Sequence, residues 1–217
     1  KSKSAVSYLR HVTQGDTHLS KGEYSWAVEQ YRKALKCIGR PLPTSNLDLM
    51  ASLVWNFIRQ VSHQLYLGKW LCLKSGSIRR RSNEDVKLSA KYAAVVYHKL
   101  TQMHLTGHLT GGKWTGLNIG LCAVNLAEAS GTTMPMIQLA EIYATSALRL
   151  QVNPLWKTLF LSRYFLGRAR KFCSLSPDHV PSTLQWLCHP EGHRFLVDQK
   201  WKIGGKDSLF TSLCDQV

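Results

Sequence analysis

The stretch that most constrains the fold is Gly15–Pro41, GDTHLSKGEYSWAVEQYRKALKCIGRP. Ahead of it Ala5, Tyr8, Leu9 and Val12 recur at three and four residues, which predicts a first helix from about Ser4 to Ser20. Gly22 then falls at a turn, and Tyr24, Ala27, Tyr31 and Ala34 mark a second helix at the same steps. Gly15 and Ala27 carry almost no side chain, so two antiparallel helices can approach closely there while Tyr24 and Tyr31 fill the space on either side. Residues 4–41 therefore read as a helical hairpin, which buries its apolar faces only by helix-on-helix packing.

The spacing is that of one tetratricopeptide unit. That pattern places Trp, Leu and Tyr where this chain has His11, Gln14 and His18, and Gly39 replaces its closing proline. The hairpin is thus tetratricopeptide-like with an atypical first helix, and it points to a scaffold or binder.

The rest of the chain continues in helices. Pro41-Leu42-Pro43 ends the second one, and Ser45-Asn46 supplies a cap with Asp48 in the first turn of a third. Leu47, Met50, Ala51, Val54, Trp55, Ile58, Val61 and Leu65 form one apolar stripe, continued by Trp70 and Leu71. Residues 75–85, SGSIRRRSNED, are charged and aperiodic and read as an exposed basic loop. A helix opening at Asn83–Asp85 carries Ala90, Ala93, Ala94, Tyr97, Leu100 and His104 on one face and stops at Gly107. Leu117, Leu121, Val124 and Ala127 mark another, closed by Gly131. Thr133 and Pro135 open the next, with Ile137, Ala140, Ala144, Ala147 and Leu148 inward. Asn153-Pro154 begins a helix reaching Phe172, in which Gly167 costs about 1 kcal/mol relative to alanine unless close packing requires it. Pro177 and Pro181 bracket a loop before a short helix ending near Cys188. In the C-terminal segment 189–217, Phe195 and Val197, then Trp201 and Ile203, alternate as in a small hairpin. The expectation is an all-α single domain over residues 1–217, an irregular stack of about four antiparallel helical hairpins with one tetratricopeptide-like repeat.

Charge bears on partners. Lys and Arg number 28 against 13 Asp and Glu, a formal +15, which suits nucleic acid, an anionic membrane face or an acidic protein surface. The excess is scattered; only Arg79, Arg80 and Arg81 form a run. Six cysteines with no Cys-x-x-Cys pair, several inside apolar helical runs, read as buried free thiols of a reducing compartment. The longest uncharged run, Trp114–Ala127, is short of the ~20 apolar residues of a membrane span.

No motif carries catalysis. Gly107–Trp114, GHLTGGKW, has the glycine and lysine spacing of a phosphate-binding loop, but Trp114 takes the place of the magnesium-binding Ser or Thr and a helix precedes it where a strand is needed. His104 with His108 and His189 with His193 stand four apart, as zinc ligands on a helix face would. Gly107 interrupts the first pair, and Pro190 and Gly192 the second, so both read as ordinary core or turn histidines. Ser75-Gly76-Ser77 lacks the strand-turn-helix setting of a nucleophile elbow. The expectation is no enzyme, no cofactor and no metal.

The wording of the segments says more than their periodicity. YLRHVTQGDTHLSKGEYSWAVEQYRKAL, GRPLPTSNLDLMASLVWNFIR, AVVYHKL, LCAVNLAEAS and LQWLCHPEGHRFLVD, in that order, closely resemble the C-terminal regulatory region of sterol regulatory element-binding proteins, nearer the cholesterol-associated paralogue than the fatty-acid-associated one. The resemblance spans nearly the whole chain. It implies a piece of a membrane-bound transcription factor precursor whose regulatory region lies on the cytosolic face of the endoplasmic reticulum. There it binds the β-propeller domain of the cleavage-activating escort protein (SCAP), which controls transport to the Golgi and proteolytic activation. The family has no short catalytic motif to transfer.

On that basis Lys74, Arg79, Arg80 and Arg81 are candidates for supplying charge near the partner or membrane, and Val12, Asp16 and Leu19 for lining a groove. The alternative is a basic helical-repeat nucleic-acid-binding module, motivated by +15 and scattered aromatics but lacking a concentrated basic stripe.

Overall fold

The computed structural model describes residues 3–64, 83–152, 161–175 and 177–188. Among them are seven α-helices and no strand: α1 (Lys3–Ser20), α2 (Tyr24–Cys37), α3 (Asn46–Gln64), α4 (Asn83–Leu105), α5 (Lys113–Ser130), α6 (Met136–Val152) and α7 (Leu161–Ser174). Short 3₁₀ turns occupy Gly131–Thr133, Pro177–His179 and Ser182–Cys188, so the segment between Pro177 and Pro181 is partly turned rather than an open loop. The chain is all-α, as its periodicity predicts. The extension of α3 toward Leu71, the basic loop up to Ser82, the Asn153-Pro154 start and the alternating segment after His189 lie outside the described residues.

Local chemistry sets the helix limits. Ser45 Oγ accepts the Asp48 amide at 3.1 Å, which satisfies one of the open donors at the start of α3. Gly107 and Gly131 adopt φ of 79° and 57°, left-handed values that favour glycine and that stop α4 and α5.

The hairpin of α1 and α2 is as tight as its small residues suggest. Tyr31 is fully buried, and a Cβ added to Gly15 would lie 2.6 Å from its Cε1 atom. Tyr31 Oη donates to Asp16 at 2.6 Å, and His11 Nδ1 meets Gln30 Oε1 at 2.8 Å. The hairpin docks on α4 through Lys99, whose Nζ donates to Asp16 at 2.5 Å, and through Tyr8 Oη donating to the Tyr92 carbonyl at 2.9 Å, and Tyr24 stacks at 3.6 Å on His108 in the segment that follows α4.

The core centres on α5. This helix is apolar nearly all round, with Leu117, Ile119, Leu121, Val124 and Leu126 all buried, which is the composition of a helix enclosed by neighbours. It runs antiparallel to α4 and α6. Gly116 lets His104 and Arg149 reach across: a Cβ there would meet His104 Cε1 at 2.5 Å and lie against the Arg149 guanidinium. Arg149 in turn donates to the Lys113 carbonyl at 2.8 Å. α6 and α7 pair through Ser162 Oγ donating to the Ala147 carbonyl at 3.1 Å and an edge-on contact of Tyr143 with Phe165. The irregular member is α3, which packs on α5 and runs parallel to it: Ser52, Asn56 and Gln60 meet Asn118, Asn125 and Glu128 in ascending order along both helices.

Candidate docking surface

Leu53 is buried on α3 and Phe57 packs against the core beside it, but the other contacts on the buried face of this helix are polar. Ser52 Oγ donates to Asn118 Oδ1 at 3.0 Å, and Asn56 Nδ2 donates to the same oxygen at 3.1 Å and to Cys122 Sγ at 3.0 Å. Asn125 Nδ2 donates to Asn56 Oδ1 at 2.9 Å, and Asn125 Oδ1 accepts from Gln60 Nε2 at 2.7 Å. Gln60 also reaches Glu128 at 3.4 Å, and the other oxygen of Glu128 accepts the Tyr143 hydroxyl. Steps of four on α3 thus face steps of about three and four on α5, and the two polar rows interlock into one seam. Burial pushes the Cys122 thiol up to about 11, so it serves the seam as a neutral acceptor. Gln60 Oε1 and Asn118 Nδ2 are buried without a hydrogen-bond partner, and such atoms cost about 1–3 kcal/mol each. The seam fixes the register of α3 more than it adds stability.

The apolar face of the same helix points outward. Leu47, Met50, Val54, Trp55, Ile58 and Val61 range from 36% exposed at Val61 to 83% at Leu47, and Ala51 beside them is exposed too. These side chains follow one another at steps of one to four over nearly the full length of α3, with Asp48 exposed near its start and Arg59 half-exposed near its end. Exposed apolar residues scattered singly are ordinary, but a continuous row of this length marks an interaction site.

The residues expected at a groove on the first hairpin have other partners. Val12 and Leu19 are half-buried against the core, and Asp16 accepts from both Tyr31 and Lys99. Lys74, Arg79, Arg80 and Arg81 lie outside the described residues. The glycine-rich segment 107–112 joins helix α4 to helix α5, so no strand precedes Lys113. His104 and His108 part at Gly107: His104 packs at Gly116, where burial and then Arg149 lower its pKa, while His108 stacks on Tyr24. Among the described residues no group of three or more His, Cys, Asp or Glu could hold a metal ion, and no helix is long and apolar enough to cross a membrane. No protein-family model matches the chain, and no solved structure matches it.

Proposed function

We propose that this chain is a regulatory protein-docking domain that binds the propeller domain of the cleavage-activating escort protein (SCAP) at the cytosolic face of the endoplasmic reticulum membrane, with the outward face of α3 as its docking surface. The partner and the location come from the resemblance of the segments quoted above to sterol regulatory element-binding proteins. The observation that carries docking is the continuous apolar row on α3, backed by a polar seam that prevents the helix from simply rolling over to bury it.

Magnitudes say what else the interface needs. Covering a half-exposed aliphatic or aromatic side chain gains about 1 kcal/mol, so six of them supply roughly 6 kcal/mol. Association costs about 4–15 kcal/mol in lost freedom and ordering. The row alone gives at best weak binding. Charged contacts at the rim must contribute, and a chain carrying +15 favours an acidic surface around an apolar groove. In this reading Lys74 and Arg79–Arg81 steer the encounter, while α3 anchors it.

The test is retention of the purified propeller by the immobilised chain at low and at moderate salt. Retention that weakens with salt but survives it is the expected outcome, because the apolar anchor is insensitive to screening. Failure to retain the propeller at either salt, or equal retention of unrelated oligonucleotides lost as salt rises, contradicts the proposal.

A further inference from the structure

α7 carries its charges on one side. Leu161, Phe165, Leu166, Ala169 and Cys173 are buried, whereas Arg163, Gly167, Arg170, Lys171 and Ser174 are exposed. At about 100° per residue the exposed five fall within roughly a third of the helix circumference. The helix contains no acidic residue, and its fourth cation, Arg168, lies over aromatic rings, 5.1 Å from the centre of Phe172 and 5.7 Å from that of Tyr143. The outward face is therefore three cations around a bare glycine. Helix stability explains only part of this. Arg170 and Lys171 stand near the C-terminal end, where cations complement the helix dipole, but Arg163 stands in the first turn, where a cation opposes it. Gly167 is not required by packing either, since a Cβ there would meet nothing within 4 Å and alanine would make the better helix. A glycine at this position leaves the backbone bare between Arg163 and Arg170, so a flat surface can come closer to the helix.

We propose that the outward face of α7 is an attachment surface for an anionic membrane, with lipid phosphate and carboxylate groups seated between Arg163, Arg170 and Lys171. Other anionic partners fit it less well. A protein partner needs a buried apolar anchor near the centre of its interface, and the centre here is Gly167. Single-stranded nucleic acid binds by stacking on aromatic rings, and α7 exposes none. A lipid surface needs only a row of cations on a flat face. Leu175, 56% exposed, adds an aliphatic side chain at the edge of that row, where its amide donates to the Lys171 carbonyl at 3.2 Å. The core already takes the apolar face of α7, so charge supplies most of the attachment and salt weakens it. Each basic side chain near such a surface strengthens binding about fivefold, so the loss of three weakens it on the order of a hundredfold. This surface is independent of the row on α3 and of the partner proposed for it.

The test mixes the full chain with vesicles of phosphatidylcholine, with and without about one-third phosphatidylserine, and measures bound protein by sedimentation. A chain of +15 attracts anions from any side, so position must be separated from net charge. The variant Arg163→Gln, Arg170→Gln, Lys171→Gln is therefore compared with Arg32→Gln, Lys33→Gln, Lys36→Gln, which removes the same charge from exposed positions of α2. The expected result is binding to the phosphatidylserine vesicles alone, at least about tenfold weaker in the α7 variant and within about threefold of the unaltered chain in the α2 variant. Gly167→Glu, which puts a carboxylate at the centre of the face and removes no cation, should weaken binding as well. No binding to the anionic vesicles, equal binding to the neutral ones, or equal weakening by the two triple variants would each overturn the proposal. So would an α7 variant that loses affinity for duplex DNA while keeping its affinity for the vesicles.

Discussion

Gly15 and Gly167 both stand within helices, yet a methyl group meets opposite fates at the two positions. At Gly15 it would strike the buried Tyr31 ring, whose hydroxyl is tied to Asp16; at Gly167 nothing lies within 4 Å. Gly15→Ala should therefore destabilise the chain by about 1–3 kcal/mol, as overpacking does. Gly167→Ala should stabilise it by about 0.5–1 kcal/mol by removing backbone freedom from the unfolded chain and improving helix propensity. Urea unfolding of the two variants checks both signs. Spacing reveals the close approach at Gly15 because Tyr31 and Ala27 are part of the same pattern, whereas the open surroundings of Gly167 depend on neighbours that periodicity does not name.

His98 makes a pH-dependent prediction at the same scale. It is buried with Nδ1 unpartnered, and burial, followed by the adjacent Lys99, lowers its pKa from 6.5 to about 4. The unfolded chain takes up this proton at higher pH than the folded one, so its contribution to stability is intact above pH 6.5 and falls as pH drops toward 4. At about 1.4 kcal/mol per unit the loss across that window is on the order of 3 kcal/mol. Thermal or urea midpoints measured across the window should fall with acid in the unaltered chain and fall less in His98→Gln. Equal slopes would remove His98 from the account.

Among the elements, α3 shows where sequence reasoning stops. Its cap at Ser45, its Asp48 and its apolar row are all readable, and the helix begins where they indicate. The direction of the row is not readable, because periodicity reports which residues share a face and not which face a neighbour covers. The signal that decides it is on another helix: Asn118, Cys122 and Asn125 follow at four and three along α5, a polar row on a helix otherwise apolar all round. Asn56 and Gln60 on α3 match it across more than sixty residues of chain, a pairing that a single sequence does not reveal. The two faces should respond differently to substitution. Asn125→Ala leaves Asn56 Oδ1 without its donor and Gln60 Nε2 with only its longer contact to Glu128, and should cost about 2 kcal/mol. Trp55→Gln with Ile58→Gln, on the exposed face, should change stability by no more than about 1 kcal/mol in total. Denaturant midpoints of the two variants, compared side by side, test which face of α3 is buried.

For the whole molecule, the uncharged run Trp114–Ala127, too short to span a membrane, turns out to be the buried axis α5 on which α3, α4 and α6 converge. That role is legible in its composition, as are the helical class and the glycine stops at Gly107 and Gly131. Of the residues expected to line a groove, Asp16 also links the first hairpin to Lys99 on α4 and so ties the stack together. Among the described residues the assembled stack leaves the row on α3 uncovered, and the docking proposal rests on it. The most direct measurement is the affinity of the full chain for the propeller domain, unaltered and as the Trp55→Gln, Ile58→Gln double variant, with helical content followed by circular dichroism. The account predicts binding by the unaltered chain and at least about tenfold weaker binding by the variant with its helicity retained, since two central apolar anchors are removed. Equal affinity of the two chains would contradict the docking surface, and no binding by either would contradict the proposed partner.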